Sequence, residues 1–212
     1  MLGGTGQQGR GLARRLALAG ASVVVGSRDP VRAQADVLGW RLAVPVDVAT
    51  NGDAVARADV VVLTVPFSTV DALLTGVRPR FRPGTLVLDV TVPLVFTGPT
   101  FQMADVAEGS ACEYVRARVP DTVAVAGAFK TLPAHVLEDP QQPLDCDEFV
   151  CGDSAEVRAR ASAVVSMLPG LRPVDVGPLP RARFIEHATA LAIAVNRRHR
   201  IHEARFRVVG LP

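Results

Sequence analysis

The stretch Leu2-Gly3-Gly4-Thr5-Gly6-Gln7-Gln8-Gly9 constrains this chain more than any other. It holds Gly4-x-Gly6-x-x-Gly9, the spacing of a dinucleotide-binding turn. In such a turn Gly4 permits the tight exit from a strand. Gly6, without a side chain, lets a pyrophosphate lie against the backbone, and Gly9 lets the next helix pack close to the sheet. Free N–H groups and the positive end of the helix dipole then face the phosphates. The neighbours fit. Residues 9 to 20 predict a helix with Leu12, Leu16 and Ala19 on one face and Arg14 and Arg15 off it, ended by Gly20. Ala21-Ser22-Val23-Val24-Val25-Gly26 is a β-branched run suited to a buried strand. The feeding strand has only Met1 and Leu2, where a parallel strand usually takes about five residues. The expectation is that residues upstream complete it, or that the fold tolerates a clipped central strand.

At 212 residues and 49% hydrophobic content, the chain is long enough for one α/β domain plus an appendage. No apolar run reaches the roughly 18 residues that span a bilayer, and the opening on a glycine turn gives no expectation of a signal peptide. Cys112, Cys146 and Cys151 are odd in number and lack C-x-x-C spacing, which predicts reduced, structural thiols in a cytoplasmic protein. No His/Cys cluster has ligand spacing, so no metal is expected. Residues 181 to 212 carry seven arginines against two acids, Glu186 and Glu203, and Lys130 is the only lysine of the chain. A basic end suits an anionic partner. Aromatics at 5% and the lack of a nucleic-acid motif argue against nucleic acid, which leaves an anionic small molecule or a plain solvated helical face.

Beyond the second strand come Gly26-Ser27-Arg28-Asp29-Pro30-Val31-Arg32. NAD-preferring folds place an acid here for the ribose 2′-hydroxyl. Here Ser27 and Arg28 stand instead, with Arg32 one helical turn on. Arginine's planar fork suits a phosphate. Asp29 is better read as the N-cap of a helix from Pro30 to about Leu38. The pattern therefore favours NADP(H). Residues 48 to 58 are expected to be helical. Strands are expected at 59–66, 84–91 and 122–129, and further elements at 148–153, 155–167 and 172–179, before a long helix at 183–197. Ligands of such sheets bind beyond the carboxyl ends of the strands, which puts Phe67 either against a cofactor or in the core. The fold class is α/β, a Rossmann-type doubly wound, mostly parallel sheet with a small C-terminal α/β extension. Residues 1–140 form the NADP-binding part and 141–212 the extension.

Several segments together resemble a known family. They are Gly3-Gly4-Thr5-Gly6-x-x-Gly9, Val24-Val25-Gly26-Ser27-Arg28, Leu63-Thr64-Val65-Pro66-Phe67, Ala128-Phe129-Lys130-Thr131-Leu132-Pro133-Ala134, Val150-Cys151-Gly152-Asp153 and the run from Gly170 to Leu179. They resemble the NADPH-dependent coenzyme F420 reductases over nearly the whole chain, and Asn196 to Glu203 is similar to bacterial members. The resemblance implies hydride transfer between NADP(H) and the deazaflavin coenzyme F420. It implies that Thr5, Gly6, Gln7 and Gln8 hold the pyrophosphate, that Ser27, Arg28 and Arg32 hold the 2′-phosphate, and that Phe67, Val92, Pro93 and Ala134 border the two rings. Lys130 departs from the family pattern. Hydride transfer between stacked rings needs no catalytic side chain, because the cofactors carry the chemistry. None is therefore named, and His135 is expected at the surface. Two alternatives share the motifs: another NADP(H)-dependent reductase of flavin, metal or imine, and a non-catalytic NADP(H)-binding regulator. Three further expectations concern the C-terminal region. Its helix contributes to the deazaflavin cleft. Ala188, Leu191, Ala192 and Val195 form a stripe for a homodimer, and Lys130 with the arginines of 197–207 steers the anionic F420 tail.

Overall fold

The computed structural model describes residues 1–98 and 100–211. The first helix, α1 (Gln7–Leu18), leads to β1 (Val24–Ser27), α2 (Pro30–Leu38) and β2 (Asp47–Thr50). Next come α3 (Asn51–Arg57), β3 (Val60–Leu63), α4 (Val70–Val77) and β4 (Leu86–Asp89). A hairpin of β5 (Leu94–Thr97) and β6 (Thr100–Met103) precedes α5 (Ala111–Arg116) and β7 (Ala124–Gly127). The chain continues through α6 (Ala134–Glu138), β8 (Cys146–Gly152), α7 (Ala155–Ser166), β9 (Leu171–Pro178) and α8 (Ala182–His199).

Two parallel blocks, β2-β1 and β3-β4-β7, are joined through Leu2, which bridges Gly26 on one side and Leu63 on the other. Met1 and Leu2 make ladder bonds in both directions. The Met1 nitrogen donates to Val24 O at 2.8 Å, and Gly26 N donates to Met1 O at 2.9 Å. Leu2 N donates to Val62 O and Thr64 N to Leu2 O, both at 2.9 Å. Two residues thus occupy the central lane that usually takes a longer strand, because neighbours on both sides saturate their backbone. Beyond β7 the sheet continues with β8, antiparallel to β7, and β9, parallel to β8.

Alternation along the strands feeds two cores. Val62, Leu86, Leu88 and Ala126 join Leu12, Leu16, Val157 and Val165 on one face. Val61, Leu63, Val87 and Val125 join Val55, Leu74, Val115 and Ile185 on the other. A sheet covered on both faces explains why its strands read as continuous apolar runs. Three expectations are corrected. Residues 48–58 split into β2 and α3, because Val48 and Ala49 pair with Val25 and Gly26 and Thr50 caps the helix by accepting from Asp53 N. Arg15 is buried, with 6% exposure, rather than lying off the apolar face. Ala19 is an exposed C-cap residue. The β5–β6 hairpin and the short α6 carry no strong local signal and were not expected. The close of α1 is as read: Gly20 takes φ +91° and Ala21 N reaches back to Leu16 O at 3.0 Å.

Candidate cofactor and substrate cleft

The strand ends that follow Leu2, β1, β3, β4 and β7 all point to one edge, and the strand order reverses at Leu2. That is where an open α/β sheet binds its ligand. The turn there is held by geometry only glycine allows. Gly3, not Gly4, carries the left-handed backbone, at φ +83°, and a Cβ on it would lie 2.8 Å from Thr64 O. A Cβ on Gly9 would lie 2.3 Å from Gly3 O and 2.5 Å from Thr64 Oγ1, so the first turn of α1 sits directly on the loop. Thr5, Gly6 and Gln7 are exposed and Gly4 is buried. No side chain caps α1 at Gly6. The side chains of the two glutamines are engaged elsewhere: Gln7 donates to Glu138 Oε2 at 2.9 Å, and Gln8 to the carbonyls of Phe129 and Leu132 at 3.1 and 3.4 Å.

At the end of β1, Asp29 accepts from Arg32 N at 3.1 Å and Pro30 opens α2, as the sequence indicates. The Ser27 hydroxyl closes a local turn with Asp29, whose N–H donates to Ser27 Oγ at 3.0 Å. Arg28 and Arg32 are exposed, and neither forms an ion pair among the described residues. Phe67 is half-buried against Tyr114, with ring centroids 5.0 Å apart, and Arg118 lies over Tyr114 at 3.1 Å.

A cleft of about 370 Å³ runs from the turn across the strand ends to α8. Gln7, Gln8, Val92, Ala134 and His135 line it from the N-terminal half, and Thr189, Ile193, Asn196 and His202 from the C-terminal part. His135 is exposed at its mouth, edge-on to His202 at 6.1 Å. Pro93 is buried and borders a separate cavity of about 340 Å³ with Met103, Val106, Arg183 and His187. Val92 and Ala134 thus share the cleft with the glutamines, whereas Phe67 and Pro93 do not line it. The sequence reading placed the C-terminal helix at the cleft but missed the contribution of residues 202 and 204. It arises because Arg200 caps α8 in the left-handed conformation, at φ +55°, and Asn196 accepts from Ala204 N at 2.9 Å.

Beneath the cleft is a buried polar floor. The side chain of Lys130 is fully enclosed. Its ammonium donates to Asp89 Oδ2 at 2.7 Å and to Thr91 O at 2.5 Å, and meets Glu186 Oε1 at 3.2 Å. All three N–H donors are used. Burial lowers the ammonium's pKa, but Asp89, Cys112 and Glu186 more than offset this and hold it well above lysine's ordinary value. Lys130 is therefore unavailable to an anionic tail, contrary to expectation. Asp89, Cys112 and Glu186 have ligand atoms within 4.8 Å of one another, and the cation they share is this ammonium. Glu148, also buried, accepts from Lys130 N at 3.1 Å and Thr131 Oγ1 at 3.0 Å. Burial pushes its pKa up to about 7 against those hydrogen bonds. Burial also raises Glu186. One cation does not balance three enclosed acids, so the floor disfavours full ionisation. The cysteines are free and buried.

The basic tail is largely committed too. Arg205 donates to the carbonyls of Pro143 and Leu144, Arg207 pairs with Asp145 at 2.8 Å, and Arg197 lies over Phe101 at 4.9 Å. Arg198 and Arg200 are exposed.

Residues 1–93 match the family model for NADP oxidoreductase, coenzyme F420-dependent. The chain is 37% identical over 220 residues to the F420-dependent NADP reductase of Methanothermobacter thermautotrophicus, covering 100% of this chain and 94% of that protein. It is 31% identical over 222 residues to the enzyme of the same name from Methanocaldococcus jannaschii, covering 100% and 97%. A solved structure from Arthrobacter sp. FB24, provisionally assigned as an F420-dependent NADP-reductase, superposes with a TM-score of 0.84 at 26% identity, covering 98% of this chain and 97% of that one.

Proposed function

This chain belongs to the coenzyme F420-dependent NADP oxidoreductases, and we propose that it moves a hydride between NADP(H) and F420 across the cleft at the strand ends. NADP(H) and F420 supply the redox chemistry; the protein binds, aligns and excludes water. The observation that carries the assignment of roles is the exposed pair Arg28 and Arg32, free of ion pairs among the described residues, at the end of β1 beside the glycine turn. Two guanidinium groups without carboxylate partners suit a 2′-phosphate. The Gly3–Gly9 turn, too tight for a Cβ at Gly3 or Gly9, fits a pyrophosphate at the uncapped start of α1. In this reading Thr5, Gly6, Gln7 and Gln8 hold the pyrophosphate through the backbone and Ser27 adds a hydroxyl. Val92 and Ala134 border the rings, while Phe67 and Pro93 act from behind, through Tyr114 and the neighbouring cavity. No side chain is assigned a proton.

Residues 1–140 supply the NADP(H) half of this site and 141–212 the wall that α8 forms. The three free thiols fit a cytoplasmic setting, and no described helix is long and apolar enough to cross a membrane. A homodimer fits the exposed apolar residues Phe184 and Leu191, seven apart on α8, with Phe96 on the adjacent hairpin; Ala192 of the expected stripe is buried within its own chain. A monomeric mass by light scattering would remove that assembly.

The functional test is turnover. Mixing the protein with NADPH and F420 is expected to bleach the deazaflavin's visible absorbance. Reduction of flavins, metals or imines with no effect on F420 would overturn the acceptor assignment, and NADPH binding without turnover of any acceptor would overturn the enzyme.

A further inference from the structure

The segment after β7 leaves the sheet through a bulky residue in the left-handed region: Phe129 has φ +59° and is fully buried. Such a conformation in a non-glycine residue persists only where the surroundings over-determine it. Here they do so from two sides. Above, the Phe129 and Leu132 carbonyls accept from the Gln8 amide, and the Lys130 carbonyl accepts from Thr189 Oγ1 at 3.0 Å. Below, a single carboxylate takes the other polar groups of the turn. Glu148 Oε1 accepts the Lys130 N–H and Glu148 Oε2 accepts the Thr131 hydroxyl. Glu148 is on β8, outside the motifs that bear on cofactor binding, and is fully enclosed. Lys130, Thr131 and Leu132 line the cleft.

We propose that Glu148 is a positioning residue for hydride transfer: it fixes the Phe129–Thr131 turn from beneath, so that the cleft offers the two rings one rigid wall. The proposal rests on reading this cleft as the site where the rings meet. It goes beyond that reading by assigning alignment to a carboxylate that touches neither coenzyme. A group acting this way affects the ring end of NADPH more than the phosphate end, because Arg28 and Arg32 lie on other elements and Gln8, which links the glycine turn to this wall, does so through its side chain and meets a phosphate through its backbone. An acid needed only for folding affects both ends equally, or neither.

The test compares Glu148→Ala and Glu148→Gln in the full-length protein by thermal melting, steady-state kinetics and ligand binding. The two ligands are NADPH and 2′-phospho-ADP-ribose, which is the same cofactor without its nicotinamide ring. Loosening a wall by a fraction of an ångström to 1 Å costs roughly ten- to hundredfold in rate. Glu148→Ala is expected to lose that much in kcat and to weaken NADPH several-fold more than it weakens the ring-less fragment. Glu148→Gln, whose amide oxygen still accepts the Lys130 N–H and whose NH2 still meets the Thr131 oxygen, is expected to recover most of the rate. A Glu148→Ala protein that melts lower but keeps its kcat, or that loses both ligands equally, would overturn the proposal. If Glu148→Ala does not fold, Thr131→Val removes one arm alone: reduced kcat with unchanged fragment binding supports positioning, and unchanged kcat refutes it. If the wild-type protein reduces no F420, the acceptor assignment fails separately. The difference between NADPH and its ring-less fragment then still decides the role of Glu148.

Discussion

Arg28 and Arg32 stand exposed at the end of β1, their guanidinium groups in no ion pair among the described residues, whereas Lys130, at the end of β7, is enclosed with Asp89, Glu186 and the Thr91 carbonyl. Both lie at the carboxyl edge of the same sheet, and both look like anion binders in the sequence. Their environments suit them to opposite tasks. A solvated guanidinium keeps its donors for a ligand and costs little to hold in place. A buried ammonium has already spent its donors, and its removal strands the acids around it. Position relative to a ligand edge is thus a poor guide to a cation's role until its partners are known.

The contrast breaks most sharply at Lys130. Lys130→Met leaves Asp89 and Glu186 enclosed without their counter-charge, and is expected to cost about 3–5 kcal/mol of stability, read as a large fall in denaturation midpoint. Adding Glu186→Gln should recover part of the loss. A stable Lys130→Met protein with impaired F420 affinity would return this lysine to the ligand-binding class.

The next effect is in pH. Glu148 has its folded-state pKa raised from 4.5 to about 7 by burial, against the hydrogen bonds from Thr131 and Lys130; the titratable groups facing it are the Lys130 ammonium and the Cys146 thiol, which burial keeps protonated. The folded protein therefore holds this proton more tightly than the unfolded chain does. Its favourable contribution is complete below pH 4.5 and is lost as pH rises to about 7. Relative to Glu148→Gln, the wild type should lose on the order of 3 kcal/mol across that window, measured by urea unfolding at stepped pH. A parallel pH response in the two proteins would show that Glu148 is ionised throughout.

At the exposed pair, Arg28→Ala is expected to weaken NADPH by roughly 1.5–3 kcal/mol, ten- to hundredfold, with little change for NADH. Equal losses for both would make the guanidinium structural. The smallest effect belongs to the tail. With Arg205 and Arg207 committed to their own chain, only modest, salt-screened help from Arg198 and Arg200 is expected. Replacing both with alanine should raise the KM for F420 less than about threefold, and a larger, salt-sensitive rise would restore the tail as a principal anchor.

The half built on the glycine turn was legible in the residues alone. The glycine spacing, the Asp29-Pro30 cap and the β-branched runs are local, so short-range sterics and capping define them without distant partners. Even there, only the structure showed that Gly3 takes the left-handed backbone and that Met1 and Leu2 bond to neighbours on both sides of the central lane. The cleft's far wall, the burial of Lys130 and Arg15, and the grip of Glu148 on the turn after β7 were decided by tertiary structure. Each joins residues far apart in the chain: Arg15 donates to the Leu137 carbonyl, and Lys130 meets Glu186. A charged side chain looks the same in sequence whether it is solvated or enclosed. Only packing decides which, because the cost of burying the charge is met by partners that no local pattern specifies.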